Sequence, residues 1–263
     1  MRKTITSLLL AVSLSAFAQG STDDSYDVWN ITEAEFGNIA PIELWIWGYY
    51  AGSNTLGMVK FAEHFDSPET PVKINSVKAL FANGTAANPS STITAVICKP
   101  DDNSMPGETI ASASITAADI VCNASTKPAT VFTFSEPVSI DGEFFVVMEG
   151  IANASDDTYL YCLRRDEGQL CTAYHLLEDE DPVTYAPLGT YTWYKNVDDP
   201  TSIAIGVNVS NDDTNSIENN VTSDNNNVVE HYSINGQRVG SNHRGIQIRR
   251  NADGSTTKVI TRQ

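Results

Sequence analysis

Basic residues are scarce in this chain. Only 16 Lys and Arg stand against 33 Asp and Glu, which gives a formal net charge of −17. Such an acidic balance argues against a partner that is nucleic acid or an anionic membrane surface. The few basic residues are also unevenly spread, since the end of the chain holds a group of them: Arg238, Arg244, Arg249, Arg250, Lys258 and Arg262. The sequence thus predicts an acidic body with a small basic end.

Sequence motifs for catalysis are also missing. The chain has no GxSxG, HExxH, phosphate-binding or dinucleotide-binding glycine pattern, and it holds four His in all, His64, His175, His231 and His243. We therefore expect a protein that is not an enzyme and that has no catalytic residues and no cofactor. A hydrolase whose Ser-His-Asp site or carboxylate pair assembles from distant residues remains an alternative.

Apolar runs are short everywhere, and the longest lies at the start. Arg2 and Lys3 precede an apolar stretch over 4–14, and Ala16-Phe17-Ala18 has the small-x-small pattern of a cleavage site. The run is too short to span a bilayer, so residues 1–18 are predicted to be a secretory signal peptide. Its removal takes two positive charges from −17 and leaves about −19. We expect an exported protein with no membrane span.

Cysteine is limited to four residues, Cys98, Cys122, Cys162 and Cys171, none of which forms a CxxC pair. An even number in an exported chain favours disulfides over a zinc site. Of the three possible connectivities we favour Cys98–Cys122 together with Cys162–Cys171. Four buried free thiols are the alternative.

No stretch has the periodicity of an amphipathic helix, whereas alternating apolar segments are frequent. Segment 131–150 contains two apolar runs around Asp141-Gly142, which predicts an inner hairpin. Segment 42–50 is predicted to be a strand with Trp45, Trp47 and Tyr49 on one face. About eleven such short strands indicate an all-β fold, and a jelly-roll-like antiparallel β-sandwich is the architecture we expect.

Composition divides the chain behind the signal peptide into three parts. Residues 29–210 carry the strand patterns of the sandwich. Residues 211–227 are almost entirely Asn, Asp, Ser and Thr, which predicts a disordered linker because so few apolar side chains cannot form a core. Residues 228–263 resume short alternating runs and are predicted to form a small C-terminal β module.

The motifs of this tail resemble a known class of domain. The stretches 229–239, 244–248 and 258–260 combine a tyrosine, a short glycine turn followed by a basic residue and valine, and a later glycine before alternating apolar residues. This pattern resembles the C-terminal sorting domains of secreted Bacteroidetes proteins that are associated with type IX secretion. The positions that carry the resemblance are Gly236, Arg238, Val239 and Gly245. The resemblance implies the secretion machinery as a partner, and a secreted or cell-surface location outside the outer membrane.

The body resembles jelly-roll modules of the same secreted proteins. The matching points are 47–52 with 60–65, then 105–109, then Phe132-Thr133-Phe134 with 142–146. This resemblance implies an accessory or binding module with no established chemistry.

Two aromatic clusters are candidates for the binding surface. Trp45, Trp47, Tyr49 and Tyr50 form one; Tyr185, Tyr191, Trp193 and Tyr194 form the other, which lies next to the predicted loop 187–189. Rings with free faces stack on sugars, so the second cluster is the predicted site of a glycan ligand. Two alternatives stay open: the rings form the core of the sandwich, or the protein is a surface adhesin that binds other proteins.

Acidic turns raise the question of a structural calcium ion. Asp101 and Asp102 lie in a loop that Pro100 and Pro106-Gly107 make stiff, and carboxylate and carbonyl oxygens are the ligands that calcium takes. These two residues are the predicted calcium ligands. The alternative is a solvated acidic turn, because the spacing is not that of an EF-hand.

Overall fold

The computed structural model describes residues 25–166, 169–197, 199–211, 228–233, 237–240, 245–251 and 256–261. The predicted signal peptide and, apart from Asn211, the predicted linker lie outside the described residues. Nineteen strands occur in the described ranges, in chain order: β1 Ser25–Trp29, β2 Ile42–Glu43, β3 Tyr49–Tyr50, β4 Met58–Phe65, β5 Val72–Ala79, β6 Phe81–Thr85, β7 Thr92–Pro100, β8 Pro106–Thr116, β9 Thr130–Ile140, β10 Phe144–Glu149, β11 Asp157–Leu160, β12 Cys162–Arg164, β13 Ala173–Glu180, β14 Pro187–Lys195, β15 Thr201–Ile203, β16 Ile205–Asn211, β17 Val228–Ser233, β18 Gly245–Asn251 and β19 Thr256–Thr261.

Two antiparallel sheets make the body. One has four strands in the order β1-β16-β5-β9, and the other has six in the order β14-β13-β4-β10-β7-β8. Short pairs β2-β3, β6-β11 and β12-β15 join them, and β17-β18-β19 form a separate antiparallel sheet in the C-terminal part. The prediction of an all-β antiparallel sandwich is confirmed.

The core lies between the two large sheets because alternate residues of both point inward. Phe61, Ile97 and Met148 come from the six-stranded sheet, and Ile74 and Phe132 come from the four-stranded sheet; all are fully or almost fully buried in one cluster. A second apolar cluster covers the outer face of the six-stranded sheet: Ala62, Val96, Cys98, Phe145, Val147 and Tyr174. Strand β10 is therefore apolar on both faces, as its uninterrupted apolar run predicts.

Three strands exchange partners at one junction. Leu80 N–H donates to Ala204, Ala204 N–H donates to Tyr161 and Tyr161 N–H donates to Leu80, over 2.9–3.0 Å. On one side of these residues β5 pairs with β16; on the other, β6 pairs with β11 and β12 pairs with β15. The triangle of hydrogen bonds satisfies the backbone groups where the ladders change partners.

Glu63 is a carboxylate buried inside the sandwich beside this junction. Its side-chain oxygens accept hydrogen bonds from Asn30 Nδ2, the Thr172 hydroxyl and the Ile203 N–H, and its residue exposure is 0%. Burial raises the pKa of Glu63 from 4.5 to about 7, although these hydrogen bonds and the charge of Arg165 act in the opposite direction. The carboxylate of Glu63, on β4, thus accepts hydrogen bonds from the Ile203 N–H on β15 and from Asn30, which follows β1. These hydrogen bonds connect the segment after β1 to β4 and β15.

Because this folded-state pKa is raised, protonation of Glu63 favours the folded state. Its contribution to stability is fully present below the unfolded pKa of 4.5 and is lost as the pH rises through about 7. A shift of this size corresponds to roughly 3 kcal/mol between those limits. We expect the free energy of unfolding of the wild type, measured by denaturant titration, to fall more steeply over this pH range than that of Glu63→Gln. The exposed Glu108→Gln is the matched control and should keep the wild-type slope. Parallel curves for wild type and Glu63→Gln would exclude this role.

The inner hairpin predicted over 131–150 is wrong. Strand β9 pairs with β5 in the four-stranded sheet, whereas β10 pairs with β4 and β7 in the six-stranded sheet. Asp141-Gly142 therefore carries the chain from one sheet to the other. A turn sequence between two apolar runs shows that the chain reverses, but it does not show whether the runs pair or face each other across a core.

The alternating runs 159–163 and 170–176, on either side of a turn-like sequence at 165–168, also predict a hairpin, but this hairpin does not form. Strand β12 pairs with β15, and β13 pairs with β4 and β14. The segment between β12 and β13, of which residues 167 and 168 lie outside the described ranges, therefore connects strands that do not pair with each other.

The two predicted disulfides are also wrong, since all four cysteines are free. Cys98 belongs to the outer-face cluster, whereas Cys122 is exposed and forms an isolated bridge with Phe81. Cys162 is part of the main core, and the Cys171 thiol lies 3.1 Å from the carbonyl oxygen of Asn196. Each predicted partner thus lies in different surroundings, which residue spacing alone does not reveal.

We expect one thiol per chain to react with a maleimide under native conditions without reductant. Cys122 is exposed, while burial raises the pKa of the Cys98 and Cys162 thiols and reduces their thiolate fraction. Mass spectrometry should count one label on the native wild type, none on native Cys122→Ser and four on the unfolded wild type. No label on the unfolded, unreduced chain would instead establish two disulfides.

Candidate functional site

The segment predicted as one strand over 42–50 is a turn that displays tryptophan. Strands β2 and β3 pair through only two residues each, and a 3₁₀ turn over Trp45–Trp47 connects them. Gly48 makes the reversal possible, because its φ of 99° is unfavourable for other residues and an added Cβ would lie 2.3 Å from the Ser53 carbonyl oxygen. The turn interrupts the alternation that we predicted for Trp45 and Trp47.

The result is a strongly exposed apolar turn. Trp45 is 79% exposed, Ile46 69% and Trp47 43%. The two indole rings meet edge to face, with centroids 5.8 Å apart. Trp45 has a φ of 55°, in the left-handed region, which is uncommon for a bulky residue and costs energy. The interpretation of these rings as core is therefore wrong for Trp45 and Trp47.

Tyr49 connects this turn to the body. Its ring stacks on Tyr159 with centroids 3.7 Å apart, and Tyr50 behind it is buried against Phe61. The first aromatic cluster is thus divided. Tyr49 and Tyr50 hold the segment, and the two tryptophans face solvent.

The second aromatic group lies on the β13–β14 hairpin and its tip. At the tip, Asp181 Oδ1 accepts the N–H groups of Val183 and Thr184 at 2.9 and 2.7 Å, and these hydrogen bonds lower the pKa of Asp181. Tyr185 follows with a φ of 56° and is 75% exposed. A second exposed aromatic residue therefore occupies a left-handed backbone conformation.

Strand β14 is an edge strand and remains exposed on both faces. Tyr191 is 50% exposed and lies on the same face as Trp193, which is half-buried against the outer-face cluster. Tyr194 points to the opposite face, where it stacks on His175 at 5.8 Å and is 43% exposed. The predicted ligand-binding residues Tyr185, Tyr191, Trp193 and Tyr194 are thus on one hairpin but do not form one flat row.

Loop 52–57 links the tryptophan turn to this hairpin. Thr55 N–H donates to the Trp47 carbonyl at 2.9 Å, and Glu178 N–H donates to the Gly57 carbonyl at 3.0 Å. The buried side chain of Asn54 supports the loop, since its amide donates to the Gly52 and Met58 carbonyls and its oxygen accepts from Leu56 and Met58. The loop leads directly into β4, which pairs with β13. The tryptophan turn and the hairpin tip with Tyr185 therefore lie toward the same end of the six-stranded sheet, and Tyr191, Trp193 and Tyr194 follow along its edge strand β14.

We call this surface the aromatic edge and define it by six residues: Trp45, Trp47, Tyr185, Tyr191, Trp193 and Tyr194. The sequence predicted four of these as the ligand site and placed the two tryptophans in the other candidate cluster, as part of a strand. The signal for them was Gly48 directly after Trp45-Ile46-Trp47, which favours a turn over a continuous strand.

The candidate calcium residues have another role. Asp101 Oδ1 accepts the N–H groups of Asn103 and Met105 at 2.8 and 2.9 Å, and these bonds lower the pKa of Asp101. Asp102 is exposed. No group of three or more His, Cys, Asp or Glu in the described ranges is positioned to hold a metal ion. The side chain of Asp101 therefore closes an exposed turn, which is the arrangement expected of a solvated acidic turn. Calcium binding at Asp101 and Asp102 stays a prediction.

The described histidines of the body have no serine partner. His64 Nε2 lies 3.0 Å from Glu143 Oε2 at the surface. His175 Nδ1 is buried without a hydrogen-bond partner among the described residues, and burial lowers the pKa of His175. Neither arrangement provides the nucleophile and base that a dispersed hydrolase site needs.

The C-terminal sheet contains most of the predicted sorting positions. Arg238 is 3.5 Å from Glu230 Oε1, Val239 N–H donates to the His231 carbonyl, and Gly245 pairs with Thr261. Gly236 lies outside the described residues. Arg238 and Val239 thus lie beside β17, and Gly245 begins β18.

Comparison with known proteins finds no family that matches this chain and no curated protein similar to it. Within the described part of the chain, no helix is long and apolar enough to cross a membrane.

Proposed function

We propose that this protein is an exported, non-catalytic binding module that takes a glycan at the aromatic edge. The observation that carries the proposal is that Trp45 and Tyr185 are largely exposed and that both are in left-handed backbone conformations. A strained backbone persists only where the surrounding structure enforces it, and it concentrates at ligand-binding sites. Exposure of indole and phenol rings to water is also unfavourable, and a ligand that covers the rings removes this unfavourable hydration.

The chemistry of the edge suits sugar better than an apolar ligand. Rings contribute flat apolar faces, and the hydroxyls of Tyr185, Tyr191, Thr190 and Thr192 lie among them on exposed residues. A pyranose offers the matching combination of one apolar face and a hydroxyl rim. The L-shaped arrangement of Trp45 and Trp47, with ring planes 78° apart, favours a corner of a polysaccharide chain over a flat crystalline surface.

Replacing one tryptophan should weaken glycan binding by about tenfold, because an aromatic contact is worth about a kilocalorie per mole beyond its buried area. We expect this loss for Trp45→Ala and for Trp47→Ala on the best ligand of a glycan array, measured by titration calorimetry. The matched control is Tyr26→Ala, which removes a ring that is 50% exposed on β1.

An array with no ligand for the wild type would count against the proposal. So would an equal loss of affinity in Tyr26→Ala, since Tyr26 is on an edge strand of the other sheet.

A surface adhesin that binds another protein is the second candidate, and β14 is the observation that favours it. This edge strand has nine residues, exposes Leu188 and Tyr191 by half or more, and has one charged residue, Lys195. An exposed apolar edge can accept a strand from a partner. Cross-linking on intact cells separates the candidates: an adhesin gives partner adducts at this hairpin, and a glycan module gives a monomeric product.

We further propose that residues 228–263 direct the protein through a type IX-like secretion machinery to the cell surface or the medium. Support comes from the resemblance carried by Gly236, Arg238, Val239 and Gly245. Ligand binding in this proposal requires no cofactor, and a calcium ion at Asp101 and Asp102 could have only a structural role.

Deleting 228–263 should leave the product in the periplasm, because the remaining chain lacks the predicted sorting signal. Immunoblots of cell fractions measure the distribution. As a matched test, the same 36 residues (263 − 227) fused to an unrelated periplasmic protein should carry that protein out of the cell. Release of the truncated chain into the medium would contradict the sorting role.

A further inference from the structure

A cleft on the other side of the body is lined by aromatic, cationic and hydroxyl groups. It has a volume of about 620 Å³, and Trp29, Phe36, Lys78, Ser125, Thr126 and Lys127 are among its lining residues. Trp29 ends β1 and the 123–129 loop leads into β9, so the cleft lies against the four-stranded sheet. None of its lining residues belongs to the aromatic edge.

Trp29 and Phe36 form the aromatic wall. Their centroids are 5.3 Å apart and their ring planes are 81° apart. The Trp29 ring rests on Gly206, where an added Cβ would come within 2.4 Å of it. The glycine backbone therefore fixes the indole in place, and both rings are partly buried against the apolar cluster that contains Ile31 and Leu80.

Lys127 supplies the charge. It has a φ of 44°, a strained conformation for lysine, and its N–H donates to the Asn123 carbonyl at 2.8 Å. Its Nζ donates to the Phe36 carbonyl at 3.2 Å and lies 5.3 Å from the centre of the Tyr161 ring. All of these partners are neutral, and Lys127 forms no ion pair with a carboxylate among the described residues.

The other two charged side chains of the cleft, Lys78 and Asp27, form an ion pair with each other. Lys78 Nζ is 2.6 Å from Asp27 Oδ2, and Asp27 Oδ1 accepts from Asn208. Asp27, Lys78 and Lys127 are the charged lining residues within the described part of the chain, and together they give the cleft a net charge of +1. The local charge of the cleft is therefore opposite in sign to the net charge of −17 of the whole chain.

The rim supplies neutral hydrogen-bonding groups. Asn123 Oδ1 accepts the N–H groups of Ser125 and Thr126 at 2.9 and 3.0 Å, which fixes the loop. The hydroxyls of Ser125 and Thr126 are exposed and have no partner among the described residues. They are free to bond ligand hydroxyls beside the Lys127 ammonium.

We infer that this cleft binds an acidic sugar, a hexuronate unit whose carboxylate is held by Lys127 and whose apolar face lies on the Trp29–Phe36 wall. The carboxylate requirement follows from the unbalanced ammonium, because charge-assisted hydrogen bonds are the strong ones. The sugar follows from the combination of an aromatic face and two free hydroxyls. This site is separate from the aromatic edge and does not depend on it.

Titration calorimetry at low salt with galacturonate, galactose and acetate tests the inference on the full exported chain. We expect galacturonate to bind at least tenfold more tightly than either of the others, since only it offers both groups. Lys127→Gln should lose at least tenfold for galacturonate, Lys127→Arg should retain most of the binding, and the exposed Lys99→Gln is the matched control for a lost charge. A loss of galacturonate affinity in Lys127→Gln is assigned to the cleft, because Lys127 does not belong to the aromatic edge.

Equal binding of galacturonate and galactose would overturn the role of the charge. Equal binding of galacturonate and acetate would overturn the sugar. Undetectable binding of galacturonate by a folded wild type, or full binding by a folded Lys127→Gln, would overturn the site itself.

Discussion

The two large sheets of this protein have unequal numbers of strands, and a sandwich can cover only as much of the larger sheet as the smaller one spans. The edges meet on one side, where β8 packs against β9. The surplus of the six-stranded sheet therefore falls on the opposite side, at β13 and β14. The short strand β15 packs against β4 and β13. Strand β14 lies beyond β13 at the edge of the sheet, and all of its residues except Trp193 are exposed. Its aromatic residues are exposed because of this mismatch, even though their pattern is that of a buried strand.

A second consequence of the architecture is the buried charge of Glu63. At the junction of Leu80, Tyr161 and Ala204 the ladders change partners, and the Ile203 N–H nearby finds its acceptor in a side chain. A neutral acceptor could fill this role, but a carboxylate can also accept hydrogen bonds from Asn30 and Thr172. The cost is desolvation, which is why the pKa of Glu63 rises despite three donors and a nearby guanidinium. Stability and pH are thereby coupled at the point where the N-terminal segment joins the sandwich.

Much of the fold could be predicted from the sequence, because alternation reports burial directly. In segment 72–81 the apolar alternation changes phase at Asn75-Ser76, a pattern that predicts a bulge. The register of β5 against β9 indeed shifts between Ile74 and Ser76. Which strands pair with each other was harder to predict from the sequence. Segment 131–150 has the same alternation whether β9 and β10 form a hairpin or face each other across a core. Glu63 shows the same limit: its position between Phe61 and Phe65 on alternate sites predicts that it points inward, but its partners come from segments 33, 109 and 140 residues away.

The candidate sites were harder to predict because they depend on departures from regular structure. Among described residues other than glycine, positive φ occurs at Trp45, Ala51, Ser104, Lys127 and Tyr185. Ser104 lies in the turn that Asp101 closes, and Ala51 follows the tryptophan turn. The other three present a large side chain to solvent or to a cleft, where no local hydrogen bond of that side chain compensates for a left-handed backbone as it does for Asn or Asp. A sequence pattern assigns these residues to a strand or an ordinary loop, because it does not indicate where the backbone adopts a strained conformation. Their strain must be balanced by the fold around them, and the shared property of the three positions is that each presents a ring or a charge at the surface or in a cleft.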